Sequence, residues 1–242
     1  MANLILHAGA MTCTKEDAGL VSLPEETSSY KPLPHLQLIN NIEELSKNFI
    51  GNTDNLQLGL SPDGNKLFGT FDIMGFETDE RRFVVGFRNS YDKTLAAGVC
   101  FGAKVLVCDN LAFSGEITIL RKHTKNIIED LIGMLVQKFM VAKSQYEVIN
   151  KQLNLLAELP ISRIKMSHLA GEAAYKRILT PTQITSIMRE IKGSKHFPGE
   201  NMYSFYNHGT QVLKTTPIGQ RIEKLVNWDK FVNENVKLIT LN

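Results

Sequence analysis

The chain has 242 residues, of which 43% are hydrophobic and 21% are charged, so it can bury a sizeable core and is not a disordered chain. The formal net charge of +2 is close to balanced. This balance excludes the strongly basic composition that by itself indicates a polyanion-binding protein, although a local basic face is still compatible with it.

Cysteine usage sets the expected compartment and argues against a structural zinc site. The three cysteines form no disulfide framework, and Cys100 and Cys108 are not in the close pairs that are typical of structural zinc sites. No apolar run approaches the roughly 20 residues that cross a bilayer, and no secretory signal is seen. We therefore predict a reduced cytoplasmic protein, in the host cytoplasm if a phage encodes it, with no membrane association, no metal and no cofactor.

The first predicted elements are an arm, a helix and a hairpin. Residues 1–35 are expected to form an extended arm, because two prolines in Tyr30–His35 disfavour helix in the residues before them. Apolar residues at a spacing of three over Leu36–Asn48 predict one face of a short helix. The runs Leu56–Leu60 and Lys66–Met74, joined by a Ser-Pro-Asp-Gly-Asn turn, predict a β-hairpin.

Further β-rich runs extend this hairpin into a sheet. Because a parallel crossover needs a dozen or more residues, the short connections favour antiparallel pairing of about six strands. The additional predicted strands are Phe83–Arg88, Leu95–Phe101, Lys104–Cys108 and Glu116–Leu120. Gly98 and Gly102 predict a β-bulge or tight bend, because a phosphate-binding loop would need a lysine and a strand-to-helix context.

Helical periodicity follows the last strand. An apolar stripe with a period near 3.6 over Ile127–Leu156 predicts one long helix. Thr180 fits the N-cap and Pro181 the first position of another helix, which ends near Gly193. Two further helical patterns cover Tyr203–Leu213 and Gln220–Asn227.

These elements together predict an α+β fold, in which an antiparallel sheet of about six strands is packed by a long helix. The expected organisation is an N-terminal arm over residues 1–35 and an α+β core over residues 36–160. A helical C-terminal region over residues 161–242 is expected to pack on that core.

Two turns between the predicted strands are rich in polar residues, and sites on a rigid scaffold tend to occur in such loops. Asn, Ser and Asp in turns hydrogen-bond nearby backbone, which predicts a role in structuring these loops. The residues assigned to that role are Asn89, Ser90, Asp92, Asp109 and Asn110. Ser90 and Ser114 both lack the G-x-S-x-G motif of hydrolase nucleophiles, so no catalytic residue is predicted.

Basic residues of the strands and of the start of the long helix are the candidate contacts to nucleic acid. Cations at a helix N-terminus oppose the macrodipole, so their presence there favours a negatively charged partner. The predicted nucleic-acid-binding residues are Arg88, Tyr91, Lys93, Lys104, Arg121, Lys122 and Lys125, with Phe87 as a second aromatic for base stacking. Alternatively, Arg88 and Asp92 form an internal ion pair that rigidifies their loop.

Three segments of the chain resemble a phage/plasmid-like bacterial family that is catalogued as a domain of unknown function. They are Thr27–Leu38, Phe83–Lys93 and Ala97–Thr124, which contain RNSYDK and VCDNLAFSGE. The likeness covers residues 20–160 and extends loosely into the C-terminal third. Where the family pattern has histidine this sequence has Tyr91, so the resemblance implies no catalytic or metal role there. It implies a mobile-element context, in which common tasks are handling DNA and countering host defence.

We therefore predict a non-enzymatic nucleic-acid-binding protein of a phage or mobile element, which binds or anneals single strands during recombination or replication. A sheet followed by a long helix is broadly similar to strand-annealing mediators that work as rings, so a homo-oligomer is expected by analogy. One alternative is a protein-interaction module, such as an inhibitor of a host defence protein or an assembly component. Another is a metal-dependent enzyme on nucleotides or nucleic acid, with Asp92, Asp109 and Glu116 as Mg²⁺ ligands.

Overall fold

The computed structural model describes residues 10–78, 80–105, 110–217 and 220–240, without the side chains of residues 110–117 and 240. Six strands within these ranges form one sheet in chain order, each antiparallel to its neighbours. They are β1 Met11–Cys13, β2 Thr53–Leu60, β3 Lys66–Ile73, β4 Arg81–Ser90, β5 Ala97–Val105 and β6 Asn110–Arg121.

Helices cover both faces of this sheet. The described part of the chain contains α1 Lys15–Leu20, α2 His35–Phe49, α3 Ile127–Glu158, α4 Arg163–Tyr175, α5 Pro181–Gly193, α6 Met202–Leu213 and α7 Arg221–Thr240. An antiparallel sheet with a long packed helix confirms the predicted α+β class. None of the described helices is both long and apolar enough to cross a membrane.

Most predicted elements are present with small changes in their ends. The Ser61–Asn65 turn joins β2 to β3, with Gly64 at a φ of 72° where a side chain would be strained. α5 begins with the predicted Thr180 cap, which is completed to a capping box by Gln183. Helix α4 was not predicted, because its apolar residues show almost no one-sided periodicity.

The prediction of an extended arm is wrong over residues 11–20, which contain a strand and a helix. Strand β1 lies there and pairs with β2, with Met11 opposite Leu60. Helix α1 follows it and is initiated by a capping box between Thr14 and Asp17. The Thr-x-x-Asp spacing is the signal that sequence reasoning overlooked, since prolines farther along the arm do not act on this segment.

The two strands predicted at 95–101 and 104–108 are one strand in the structure, β5. The register between β5 and β6 shifts between Cys100 and Gly102, which agrees with the predicted bulge. A bulge lets a strand continue beyond the irregularity, so the glycine does not end β5. The part of the second predicted strand beyond position 105 lies outside the described residues.

The two faces of the sheet differ in composition because side chains alternate along each strand. The first face is mostly apolar and packs on α3, where Phe83 stacks on Tyr146 and Phe101 contacts Phe139 edge-on. The second face contains Arg88, which reaches α7 through Glu223. Every residue of β5 is buried, and buried residues of the sheet and of the C-terminal helices form one hydrophobic cluster.

Candidate functional site

Asn89, the penultimate residue of β4, joins two buried histidines. Its Nδ2 donates to the carbonyl oxygen of Leu33 at 2.6 Å and lies 3.0 Å from Nδ1 of His35. Its Oδ1 lies 2.8 Å from Nε2 of His123. Asn89 and His35 are fully buried. The three side chains come from β4, the start of α2 and the segment after β6, so only the folded chain brings them together.

The partners of each ring fix its tautomer. An amide NH₂ only donates, so His35 Nδ1 accepts, and His35 Nε2 donates to the carbonyl oxygen of Gly64 at 3.1 Å. The amide oxygen of Asn89 only accepts, so His123 Nε2 donates to it. Nδ1 of His123 is then the acceptor nitrogen, and it has no hydrogen bond to another described residue.

Both imidazoles are neutral near pH 7. Burial lowers the pKa of His35 to about 4 and also lowers the pKa of His123, because charged imidazolium is poorly solvated away from water. The network around Asn89 therefore contains no charged member at neutral pH, and it acts as a rigid connection between α2 and the end of the sheet.

Tyr91 is part of this network and is not available for base stacking. Its ring stacks on His35 with a centroid distance of 3.9 Å and an interplanar angle of 3°. Its hydroxyl oxygen accepts from the backbone N–H of His35 at 2.7 Å, and its carbonyl oxygen accepts from the hydroxyl of Tyr30 at 3.2 Å. Tyr91 is 4% exposed. The prediction of a nucleic-acid contact at Tyr91 is corrected accordingly.

Arg88 and Lys104 are also buried and ion-paired, so neither is a surface cation. Both terminal nitrogens of Arg88 donate to the carboxylate of Glu223 on α7. Nζ of Lys104 lies 3.8 Å from Asp72, a carboxylate that Arg82 also approaches to 3.5 Å. These burials correct the predicted nucleic-acid contacts at both positions. The alternative prediction of an Arg88–Asp92 ion pair is also wrong, because Arg88 pairs with Glu223 and Asp92 pairs with Lys66.

Phe87 and Arg121 are occupied by the fold as well. Phe87 is fully buried and lies over Gly69 of the neighbouring strand, where a Cβ atom would approach its ring to 2.2 Å. It therefore presents no face to a base, which corrects the second stacking prediction. Arg121 is partly exposed and donates to Asp130 in the first turn of α3. That carboxylate offsets the charge that was expected to attract a polyanion.

Three predicted cations remain exposed, and two of them share one cavity. Lys93, in the loop between β4 and β5, and Lys122, after β6, both line a cavity of about 310 Å³. The other lining residues are Tyr30, Thr94, Leu95, Ala96 and His123. We call this cavity the Lys93–Lys122 cleft. Lys125 is exposed but does not line it.

The loop that presents Lys93 is held in a defined conformation. Asp92 accepts from the hydroxyl of Ser90, from the N–H and hydroxyl of Thr94 at 3.0 and 2.6 Å, and pairs with Lys66 at 3.0 Å. Burial raises the pKa of Asp92, but these hydrogen bonds outweigh it and hold the pKa well below its usual range. Lys93 itself has a φ of 64°, and its Nζ lies 4.4 Å from the ring centre of Tyr30.

The remaining sequence predictions concern metal ligands and the second polar turn. One oxygen of Asp92 is engaged by its own loop and the other by Lys66 of β3, and no group of three potential metal ligands occurs among the described residues. Asp109 lies outside the described residues, as do the side chains of Asn110 and Glu116. Asn89, Ser90 and Asp92 are each placed in hydrogen bonds that hold the loop and its surroundings.

Sequence reasoning missed the histidines and Tyr30 because they are far apart along the chain. No short-range motif links positions 35, 89 and 123, and a lone histidine beside a strand is usually a core residue.

No family model, curated protein or solved structure matches the chain. The family resemblance and its mobile-element context therefore stay predictions.

Proposed function

We propose that the protein binds single-stranded nucleic acid at a short site, in which the Lys93–Lys122 cleft holds one or two phosphates of the strand. The observation that supports this is the convergence of two exposed lysines, from loops 29 residues apart, on one cavity whose described lining residues include no carboxylate. A lysine ammonium binds a phosphate as a point charge. Two such groups facing one cavity of this size favour a compact phosphate contact.

His123 adds a recognition group of a different kind to the cleft. Its Nδ1 is a hydrogen-bond acceptor at neutral pH, and a phosphodiester of a strand also offers only acceptors, so the two do not pair. That nitrogen suits a sugar hydroxyl or the N–H of a base. A ligand with both an anionic group and a donor, such as a nucleotide unit of a strand, satisfies the lysines and the histidine together.

The size of the site sets the expected salt dependence. Each phosphate of a single strand that is neutralised contributes about 0.7 to the slope of log K against log salt concentration. Contacts by Lys93 and Lys122 alone predict a slope near 1.4 in magnitude, whereas the six cations of an extended groove would give about 4. Burial of Arg88 and Lys104 favours the smaller value.

Fluorescence anisotropy with a labelled single-stranded oligonucleotide tests this proposal. Binding is expected at about 50 mM salt, with Lys93→Ala and Lys122→Ala each lowering affinity and reducing the slope by about 0.7. Lys195→Ala is the matched control, because Lys195 is exposed in the loop between α5 and α6 and lies outside the cleft. Absence of binding at micromolar protein, or equal binding by all three variants, rejects the proposal.

A second candidate function is self-association through α3, a 32-residue helix that buries one apolar side against the fold. A separate stripe on its exposed side consists of Met134, Val141, Val148 and Leu155, spaced seven residues apart. A spacing of seven keeps side chains on nearly one line of a helix, as in helix–helix seams.

Sedimentation velocity at about 100 μM protein tests this alternative. Self-association is expected for the natural sequence and for Met140→Glu, which changes an exposed apolar residue beside the stripe. Val141→Glu and Val148→Glu are expected to give monomers, because a buried unpaired carboxylate opposes the interface. A monomeric natural protein excludes this candidate.

A further inference from the structure

A second cavity lies on the other side of the Asn89 network. It has a volume of about 390 Å³ and is formed by the end of α1, the segment that follows it, the first turns of α2 and Tyr91. We call it the amide cavity, because Gln37, Asn40 and Asn41 line one of its sides. Its size falls within the range of about 300–1,000 Å³ that is usual for small-molecule sites.

The three carboxamides form an organised set. They occupy positions i, i+3 and i+4 of α2, so they project from one face of the helix. None of the three hydrogen-bonds to another group within the described part of the chain. Each carboxamide offers a donor and an acceptor side by side. The cavity therefore presents several unused polar groups that can pair with a ligand edge.

The rest of the lining is uncharged. No lysine, arginine, aspartate or glutamate is among the described residues that line the cavity, and Val21 and Leu36 supply apolar surface. His35 and Tyr91 form a rigid part of its wall, because they are stacked and hydrogen-bonded to each other. An uncharged ligand with a polar edge and apolar faces matches this lining.

The amide cavity and the Lys93–Lys122 cleft share their dividing wall. Tyr91 lines the amide cavity, and its carbonyl oxygen accepts from Tyr30, which lines the cleft. Asn89 likewise connects His35 of the amide cavity to His123 of the cleft. The two cavities are therefore separated by little more than one layer of side chains.

We infer that the amide cavity binds one unstacked nucleobase. This inference rests on the proposed function, because the base is taken to belong to the single strand that the Lys93–Lys122 cleft binds. Carboxamides pair with two adjacent groups of a base edge, as asparagine and glutamine do with adenine. The aliphatic side chains then cover the ring. A sugar ring bears hydroxyls on most of its carbons and would leave some of them against Val21 and Leu36.

Titration with neutral nucleosides, monitored by NMR chemical shifts, tests the inference without any phosphate. At least one nucleoside is expected to bind with saturable shifts, and Gln37→Ala is expected to weaken it about fivefold through a lost hydrogen bond. Asn40→Trp places a large ring at an exposed position of the lining and is expected to abolish binding. Lys195→Ala is the control, with unchanged affinity for a nucleoside, because Lys195 is exposed and lines neither cavity.

Separate outcomes distinguish the inference from the proposed function. If no nucleoside binds, or if Gln37→Ala and Asn40→Trp bind as the natural sequence does, the inference is wrong. The oligonucleotide data with Lys93→Ala and Lys122→Ala then still decide the proposed function by themselves. Saturable binding of a monosaccharide in place of every nucleoside also overturns the inference. If a nucleoside binds but the oligonucleotide does not, the amide cavity is still a base-binding site, and the proposal of single-strand binding is rejected.

Discussion

Arg88 of β4 and Glu223 of α7 form a two-pronged ion pair in which both terminal guanidinium nitrogens donate to the two carboxylate oxygens. The Arg88 side chain is 3% exposed and the Glu223 side chain is 40% exposed. The pair therefore joins the sheet to the last helix at a point where only one partner is shielded from water. Nε of Arg88 also lies 3.3 Å from the carbonyl oxygen of Ala96, so the guanidinium is fixed on a second side.

We expect Glu223→Ala to destabilise the fold, because it removes the carboxylate from a buried cation. Loss of one partner of a fully buried pair costs about 3–5 kcal/mol, and the partial exposure of Glu223 reduces the expected loss to about 2 kcal/mol. Urea unfolding of the natural sequence and of Glu223→Ala measures this change in the free energy of unfolding. Glu234→Ala, at an exposed position of the same helix, is the control and should change stability by less than about 0.5 kcal/mol. Equal midpoints for the two variants would show that the ion pair contributes nothing.

This pair also explains why the fold was more predictable than the site. Hairpins, helix caps and the α3 stripe depend on residues a few positions apart, so local sequence contains them. Arg88 and Glu223 are 135 residues apart, and no local pattern distinguishes a buried paired arginine from an exposed one. The same holds for Lys104 with Asp72. Four residues that the sequence predicts as nucleic-acid contacts are therefore buried in the folded chain and cannot reach a ligand, namely Phe87, Arg88, Tyr91 and Lys104.

The contact between α6 and α7 depends on the absence of a side chain at Gly209. A Cβ atom there would lie 2.1 Å from the indole of Trp228, which is fully buried and donates from Nε1 to the carbonyl oxygen of Tyr206 at 2.9 Å. Gly209→Ala should lower the free energy of unfolding by at least about 1–3 kcal/mol, as overpacking does. Thermal unfolding followed by circular dichroism measures the change.

Gly171→Ala in α4 is the matched control for this substitution. No atom lies within 4 Å of the Cβ that it adds, so the higher helix propensity of alanine should stabilise the protein by about 0.5–1 kcal/mol. Opposite signs are thus expected for one chemical change at two helical glycines. Stabilisation by Gly209→Ala would mean that α6 and α7 are not packed as described.

Stability should fall as the pH decreases from about 6.5 to 4, because His35 must stay neutral in the folded chain. The pKa of His35 is about 4 when folded, against an ordinary value of 6.5, so the unfolded chain binds more protons within this interval. Protonation then favours unfolding, by about 2 kcal/mol between pH 7 and pH 5. Below pH 4 both states are protonated and this contribution no longer changes.

Urea unfolding at pH 7 and pH 5 measures this difference. His35→Gln, which does not titrate, should show a smaller loss between the two pH values, although the lowered pKa of His123 leaves part of it. His196→Gln is the control at an exposed histidine and should retain the full loss. An unchanged pH dependence in His35→Gln would contradict the neutral Asn89 network.

Two exposed lysines after β6 distinguish binding in the cleft from attraction by the general positive charge of that segment. Lys122 lines the Lys93–Lys122 cleft, whereas Lys125, three residues later, is also exposed but does not line it. Lys122→Glu and Lys125→Glu change the net charge identically, so long-range attraction of an oligonucleotide is reduced to the same extent. Only Lys122→Glu also places a carboxylate against a bound phosphate. We expect it to lower affinity at least tenfold more than Lys125→Glu in anisotropy titrations at about 50 mM salt. Equal losses would mean that the strand is attracted by the field of the segment and does not enter the cleft.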